Sequence, residues 1–210
     1  MSEQFQTEQE ELWASEKWGK NYIKRNSTTK VKNFINLFSK IFSRTDGDVK
    51  SIIEFGSNIG LNLHAINALF NKIDISAIEI NKDAVNELKK LDFVNKIYNE
   101  SILDINIDKK RDFVFIKGVL IHINPEFLQI VYEKLYESSN KYIMIAEYYN
   151  PTPMTVDYRD QTDKLFKRDF AGEMMDKYPD LTLVDYGFCY HRDNNFPLDD
   201  TTWFLLKKFN

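Results

Sequence analysis

Ile52-Ile-Glu54-Phe-Gly56-Ser-Asn58-Ile-Gly60-Leu-Asn62 is the stretch that decides how this chain folds. An apolar run from about Val49 to Phe55 reads as a strand, and within a few residues Gly60 to Phe70 takes up helical apolar spacing. Two glycines occupy the junction. Gly56 permits a sharp turn with positive φ, and Gly60 lets the helix start approach the strand closely. A strand, a glycine turn and a helix in this order open a doubly wound α/β sheet, whose ligands bind beyond the carboxyl ends of the strands, where strand order reverses.

Outward from this unit the alternation continues. Strand two is Ile73 to Ile80, a helix opens at Asn81 or Lys82 and runs to about Leu91, and strand three lies near Val94 to Tyr98. Strand four, Arg111 to Leu120, leads to Asn124-Pro125, where Asn caps a helix and Pro fills its first turn. That helix ends near Ser138, and strand five is Tyr142 to Tyr148. Phe166, Phe170 and Met174 share one helical face that Pro179 terminates. Leu181 to Tyr190 and Thr202 to Phe209 then read as strands, and His191 to Thr201 between them is too short for a crossover helix, so they pair antiparallel. Upstream, Glu8 to Ile23 and Thr29 to Ser43 read as helices. The expectation is a Rossmann-like α/β fold with a seven-stranded, mostly parallel sheet and an antiparallel C-terminal hairpin. Residues 1–45 form a helical lid segment of the same domain, and 46–210 its main body.

Composition excludes several classes. A chain of 210 residues suits one domain with a core large enough to need neither disulfide nor metal. Lys and Arg number 28 against 32 Asp and Glu, net −4, which gives no broad field for nucleic acid or anionic membranes. Cys189 is the only cysteine, no Cys/His cluster has metal-ligand spacing, and Cys189 reads as a buried small apolar residue. The acidic, polar N-terminus is unlike a secretory signal, and no apolar run approaches the roughly 18 residues of a membrane span. A cytoplasmic protein handling a small molecule is expected, with no metal.

The strand ends carry the chemistry. A dinucleotide fold wants G-x-G-x-x-G, but the second and third glycine positions counted from Gly56 are Asn58 and Leu61. Pyrophosphate demands bare backbone, whereas S-adenosylmethionine has no phosphate and tolerates a side chain at 58. Gly56, Ser57, Asn58, Gly60 and Asn62 are therefore expected to border that cofactor, with Glu54 engaging its ammonium group directly or through water. Glu79, nineteen residues beyond Gly60, is placed to accept from both ribose hydroxyls. Ser101 and Ile102 are placed to meet the adenine, and Lys117 and Gly118 to border the cofactor after strand four. Tyr22 and Arg25 belong to the lid, where Arg25 either reaches the cofactor carboxylate or stays in solvent.

Transfer of an already activated methyl group depends heavily on alignment, so no dedicated triad is required. An amine acceptor need only be neutral; a hydroxyl benefits from a base. His122 is a candidate base or a histidine bonded to backbone at a helix start, and Glu147 and Tyr148 finish strand five as candidate catalytic groups or as ordinary packing. Tyr149 and Asn150 are candidate substrate contacts. Arg159 and Arg168, with Lys164 and Lys167, form either a clamp for a substrate anion or a solvated face. His64 and His191 have no evident partner.

A resemblance sharpens this reading. Thr7-Glu-Gln-Glu-Glu-Leu-Trp13, Trp18-Gly-Lys-Asn-Tyr22-Ile-Lys-Arg25-Asn26, the Glu54 to Asn62 stretch, Lys117-Gly-Val-Leu-Ile-His122-Ile-Asn-Pro125, Glu147-Tyr-Tyr-Asn-Pro151, Phe166-Lys-Arg-Asp-Phe-Ala-Gly-Glu173 and Trp203-Phe-Leu-Leu together resemble the pseudaminic acid biosynthesis-associated methylases. The likeness covers nearly the whole chain. It implies a class I methyltransferase fold, S-adenosyl-L-methionine as cofactor and a nonulosonic acid sugar or its precursor as substrate. Two other classes fit less well. A nucleic-acid amino-methyltransferase carries an Asn-Pro-Pro-Tyr-like turn after strand four, where this chain has Lys117-Gly118. A module that binds S-adenosylmethionine without turnover stays open, because no residue is indispensable for catalysis, and so does a methyltransferase for an unrelated small amine.

Overall fold

The computed structural model describes residues 5–15, 31–158 and 161–209, apart from the side chains of 157, 158 and 161–164. Glu8–Ala14 forms α1, started by a capping box in which Thr7 accepts from the Glu10 amide while the Glu10 carboxylate accepts from the Thr7 amide. The helix stops at Ala14 because Ser15 is extended (φ −66°, ψ 142°), shorter than the expected run to Ile23, whose remainder lies outside the described residues. Val31–Phe42 is α2; Phe34, Leu37, Phe38 and Ile41 recur along its buried face.

The main body alternates as its apolar pattern dictates: β1 Ser51–Phe55, α3 Leu61–Leu69, β2 Asp74–Ile78, α4 Lys82–Leu88, β3 Lys96–Tyr98 and β4 Arg111–Lys117. Two 3-10 turns follow, Leu120–His122 and Pro125–Phe127, the second capped by Asn124, before α5 Leu128–Ser138 and β5 Ser139–Glu147. Next come β6 Met154–Tyr158, β7 Gln161–Lys167, α6 Phe170–Lys177, β8 Leu181–Cys189 and β9 Thr201–Lys208. Seven strands form one sheet in the order β3-β2-β1-β4-β5-β9-β8, with β9 antiparallel to both β5 and β8 and the remaining pairs parallel. Order reverses between β1 and β4.

Helices cover both faces. Phe38, Ile41, Leu63 and Ile66 pack on one side with Ile52, Phe113, Phe115 and Tyr142, while Val131, Leu135, Phe170 and Met174 pack on the other with Ile53, Val114, Ile116 and Ile143. Burying each such side chain contributes about 1.5–3 kcal/mol, which explains why the inner strands are apolar on both faces. At the amino-terminal edge, buried Arg111 donates to Ser76 and Asp108. The Tyr98 hydroxyl, followed by Arg111, lowers the Asp108 carboxyl to about 2.

One expectation fails outright. The apolar spacing predicts Phe166 on the helix of Phe170 and Met174, but it lies in β7, which pairs antiparallel with β6 through Thr155↔Phe166 and Val156↔Leu165. Leu165 and Phe166 are consecutive and both buried, so the strand lacks the alternation that would have announced it. No helix among the described residues is long and apolar enough to cross a membrane.

Candidate functional site

Sheet register determines which residues meet. Phe55 pairs with Ile78 and with Ile116, and Ile116 pairs with Ile145, so four strands end in one row at the switch point. Gly56, Glu79 and Lys117 just past that row, and Glu147 one residue further along β5, therefore share one edge of the sheet.

The turn after β1 is held in a left-handed course. Gly56, Asn58 and Gly60 have φ of 78°, 47° and 82°. A Cβ on Gly56 would lie 2.6 Å from Val119 Cγ2, and one on Gly60 2.8 Å from Leu91 Cδ1. Gly60 thus makes room for leucines of the α4 region rather than for the strand. The Gly56 and Ser57 amides both donate to the Ile78 carbonyl, at 3.0 and 2.9 Å.

Glu79 braces this turn from β2. Its Oε2 accepts from the Asn58 amide at 2.7 Å and its Oε1 from the Asn81 amide at 2.8 Å. Burial raises its pKa against these hydrogen bonds, which lower it. Asn81 continues the chain of contacts: its Oδ1 caps α4 by accepting from Asp83 and Ala84, and its Nδ2 donates to the Trp13 carbonyl at the end of α1. Ser101 donates to Glu10 from the next loop, so α1 is tethered over the strand ends.

Under α1 lies a chamber of about 110 Å³ bordered by Trp13, Gly56, Asn58, Glu79, Ser101, Ile102, Gly118 and His122, among others. A larger chamber of about 550 Å³ adjoins it, with Phe34, Asn62, Glu147, Tyr148, Leu165, His191 and Leu198 in its walls. Gly56, Asn58, Lys117, Gly118 and His122 border both, forming a collar between them. His122 is buried, and its ring centroid is 4.8 Å from that of Trp13.

Two carboxyls near the larger chamber are wholly enclosed. Glu54 Oε1 accepts from Asn62 Nδ2 at 2.6 Å, while Glu54 Oε2 and Asn62 Oδ1 meet no donor among the described residues. Burial raises the Glu54 carboxyl to about 8. Glu147, 2% exposed, spends Oε1 on two amides, those of Val119 and Leu120, both at 2.9 Å, and its Oε2 has no donor. Burial raises it to about 7. Lys117, whose charge favours ionisation of both carboxyls, rests 5.0 Å over the Phe34 ring.

The expected site residues divide sharply. Gly56, Ser57, Asn58, Asn62, Glu79, Ser101, Ile102, Lys117, Gly118, His122, Glu147 and Tyr148 border one chamber or the other, and Glu54 stands behind Asn62. Gly60, Tyr149, Asn150 and Arg168 border neither chamber. Tyr149 is 41% exposed beside Phe204, Asn150 donates to the Thr152 carbonyl on the surface, and Arg168 donates to Glu173 at 2.7 Å. The direction of β5 explains this, because the chain leaves the chamber immediately after Tyr148. Tyr22, Arg25 and Arg159 lie outside the described residues. Sequence reasoning missed Phe34, Leu165 and the 197–201 loop, which come from distant elements with no shared motif. His191, without an evident partner in the sequence, has Nδ1 2.8 Å from Asp200 Oδ2. His64 stacks edge-on with Phe93, and Cys189 is half-buried, with its thiol raised by burial.

This architecture is the Rossmann-like fold of class I methyltransferases. No protein-family model matches the sequence, and no curated protein matches it. Among solved structures, the plantazolicin methyltransferase BpumL in complex with SAH superposes with a TM-score of 0.69 at 15% identity, over 96% of this chain and 94% of that one. A S-adenosylmethionine-dependent methyltransferase from Clostridium acetobutylicum ATCC 824 gives 0.65 at 10% identity, over 92% and 98%. SAM-bound CalS10, an amino pentose methyltransferase from Micromonospora echinaspora involved in calicheamicin biosynthesis, gives 0.64 at 8% identity, over 90% and 96%.

Proposed function

We propose that this protein is a S-adenosylmethionine-dependent methyltransferase acting on a small molecule, with a nonulosonic acid sugar or its precursor as the acceptor that its sequence resemblance favours. The observation that carries the reading is the unequal pair of carboxyls at the ends of β1 and β2. Glu79 has both oxygens fixed by backbone amides and keeps lone pairs for two further donors, as a ribose diol supplies. Behind the same turn, Glu54 Oε2 and Asn62 Oδ1 are buried acceptors with no donor, which an ammonium group would satisfy. A dinucleotide fits worse, since Asn58 occupies the position a pyrophosphate needs bare.

When bound, the cofactor supplies a methyl group on a positively charged sulfur, open to displacement by a neutral nucleophile. The chain's own part is to hold and to exclude water. Ile102 and Trp13 offer apolar walls to the nucleoside chamber, and α1 covers it. The collar of Gly56, Gly118 and His122 is the passage through which the two ligands meet. The composition fits a cytoplasmic location.

Isothermal titration with S-adenosylmethionine, S-adenosylhomocysteine and NAD tests the class, with binding of the first two and not the third expected. Binding of NAD alone would sink the reading. Mass spectrometry of nonulosonic pathway intermediates incubated with protein and cofactor tests the acceptor, with gain of one methyl group expected on one of them.

A further inference from the structure

The larger chamber contains a feature that cofactor binding does not use. Glu147 lies in its wall, almost wholly buried, with one oxygen committed to the Val119 and Leu120 amides and the other meeting no donor. Buried carboxylate oxygens are seldom left without a partner, and each one calls for an explanation. Lys117 does not supply it, since its ammonium rests over the Phe34 ring.

We propose that the acceptor is an amine, and that Glu147 Oε2 receives its N–H and takes its proton. This rests on the methyltransferase reading and adds the chemical class of the substrate. An ammonium group must lose a proton before its nitrogen has a lone pair to give. Here R–NH3⁺ and the Glu147 carboxylate become R–NH2 and the Glu147 carboxylic acid, which returns the proton to water after the product leaves. Matching of acidities favours nitrogen over oxygen. Burial holds Glu147 at about 7. An alkylammonium releases its proton near 10, as a lysine does, and desolvation beside other cations lowers that value; an alcohol holds its proton far more tightly. Transfer from nitrogen to Glu147 thus costs at most about a thousand-fold in equilibrium, and from oxygen far more. The two amides on Oε1 hold the carboxyl still, so Oε2 keeps a fixed position. The other titratable groups whose field or position bears on Glu147 are Lys117 on β4, His122 on the 3-10 turn, Tyr132 on α5 and Tyr148 beside it.

The test uses the full chain saturated with S-adenosylhomocysteine and titrated with matched pairs: ethanolamine and ethylene glycol, cyclohexylamine and cyclohexanol, glucosamine and glucose. At least one amine is expected to bind roughly ten-fold tighter than its hydroxyl twin, as one charge-assisted hydrogen bond gives. Glu147→Gln, which keeps the shape and an acceptor for the two amides, is expected to abolish that preference and leave S-adenosylhomocysteine binding unchanged. Equal binding of amines and alcohols, or a preference that survives Glu147→Gln, overturns the proposal. Failure of S-adenosylhomocysteine to bind the unaltered protein overturns the methyltransferase reading instead, so the two failures are distinct. A wild-type measurement stands beside the variant should Gln disturb folding. At pH 6 amine binding is expected to release about one proton as Glu147 ionises, read from titrations in buffers of different ionisation enthalpy. Release of none counts against the proposal.

Discussion

Glu79 and Glu147 occupy matching places on either side of the switch point and are used differently. Glu79 stands just past β2 and Glu147 closes β5, the strands flanking the central pair β1 and β4, and each accepts backbone amides from the turn its neighbour makes. Glu79 divides its oxygens between two amides, one from the turn after β1 and one at the start of α4. Glu147 puts two amides on one oxygen and leaves the other empty. The same residue type in the same topological position is therefore a fixed acceptor on one side and an incomplete one on the other. The complete side faces the part of the site written in contiguous motifs; the incomplete side faces the chamber assembled from distant segments.

Removing Glu79 should break the comparison most severely. Glu79→Ala deletes a charged acceptor whose hydrogen bonds contribute roughly 1.5–3 kcal/mol each, so S-adenosylhomocysteine affinity is expected to fall by on the order of 100-fold or more. Calorimetric titration reads this directly, and retention of affinity within a few-fold would falsify the role given to Glu79.

Glu147 should instead reveal itself through pH. Its folded pKa of about 7 lies above the ordinary 4.5, so the folded state prefers the protonated form. Its contribution is fully present below pH 4.5 and is lost as pH rises through 7, a change of roughly 3 kcal/mol. Glu54, raised to about 8, acts in the same direction over a slightly wider window. Urea unfolding of the ligand-free protein at pH 5 and pH 8 should show lower stability at pH 8, and Glu147→Gln should shrink the difference. An identical difference in the variant would show that the carboxyl is not held as described.

The glycines of the two turns offer a finer contrast. Gly56 and Gly118 both have positive φ, but only Gly56 faces a close atom, Val119 Cγ2, whereas a Cβ on Gly118 meets nothing within 4 Å. Gly118→Ala should cost the left-handed penalty of about 1–2 kcal/mol, and Gly56→Ala should cost about 1–3 kcal/mol more through overpacking. Thermal melts of the pair decide it, and equal losses would mean that Val119 moves aside. The smallest effect concerns α1. Asn81→Ala removes the α4 cap, worth about 1 kcal/mol, together with the donor to the Trp13 carbonyl, so amide exchange in 8–14 should quicken. Unchanged exchange would show that α1 is held by other contacts.

Half of the site was legible in the sequence because its signals are local. Gly56 and Asn58 fall within three residues, and Glu79 follows the next strand, so spacing alone brings them to one chamber. Glu147 and His122 were legible as strand-end polar groups in an otherwise apolar pattern. The hairpin of β6 and β7 was not, since Leu165 and Phe166 are buried side by side and mimic a helical face. Nor could the sequence tell that Tyr148 would line the chamber while Tyr149 and Asn150 would turn away.

What the sequence determined by itself was the alternation of strand and helix, the antiparallel tail and the acid at each strand end, because apolar period, glycine conformation and turn length act over a few neighbouring residues. What only the tertiary structure decided was the count of hydrogen bonds each carboxyl receives and the walls of the larger chamber. Those depend on which segments, as far apart in the chain as Phe34 and Leu198, burial brings into contact.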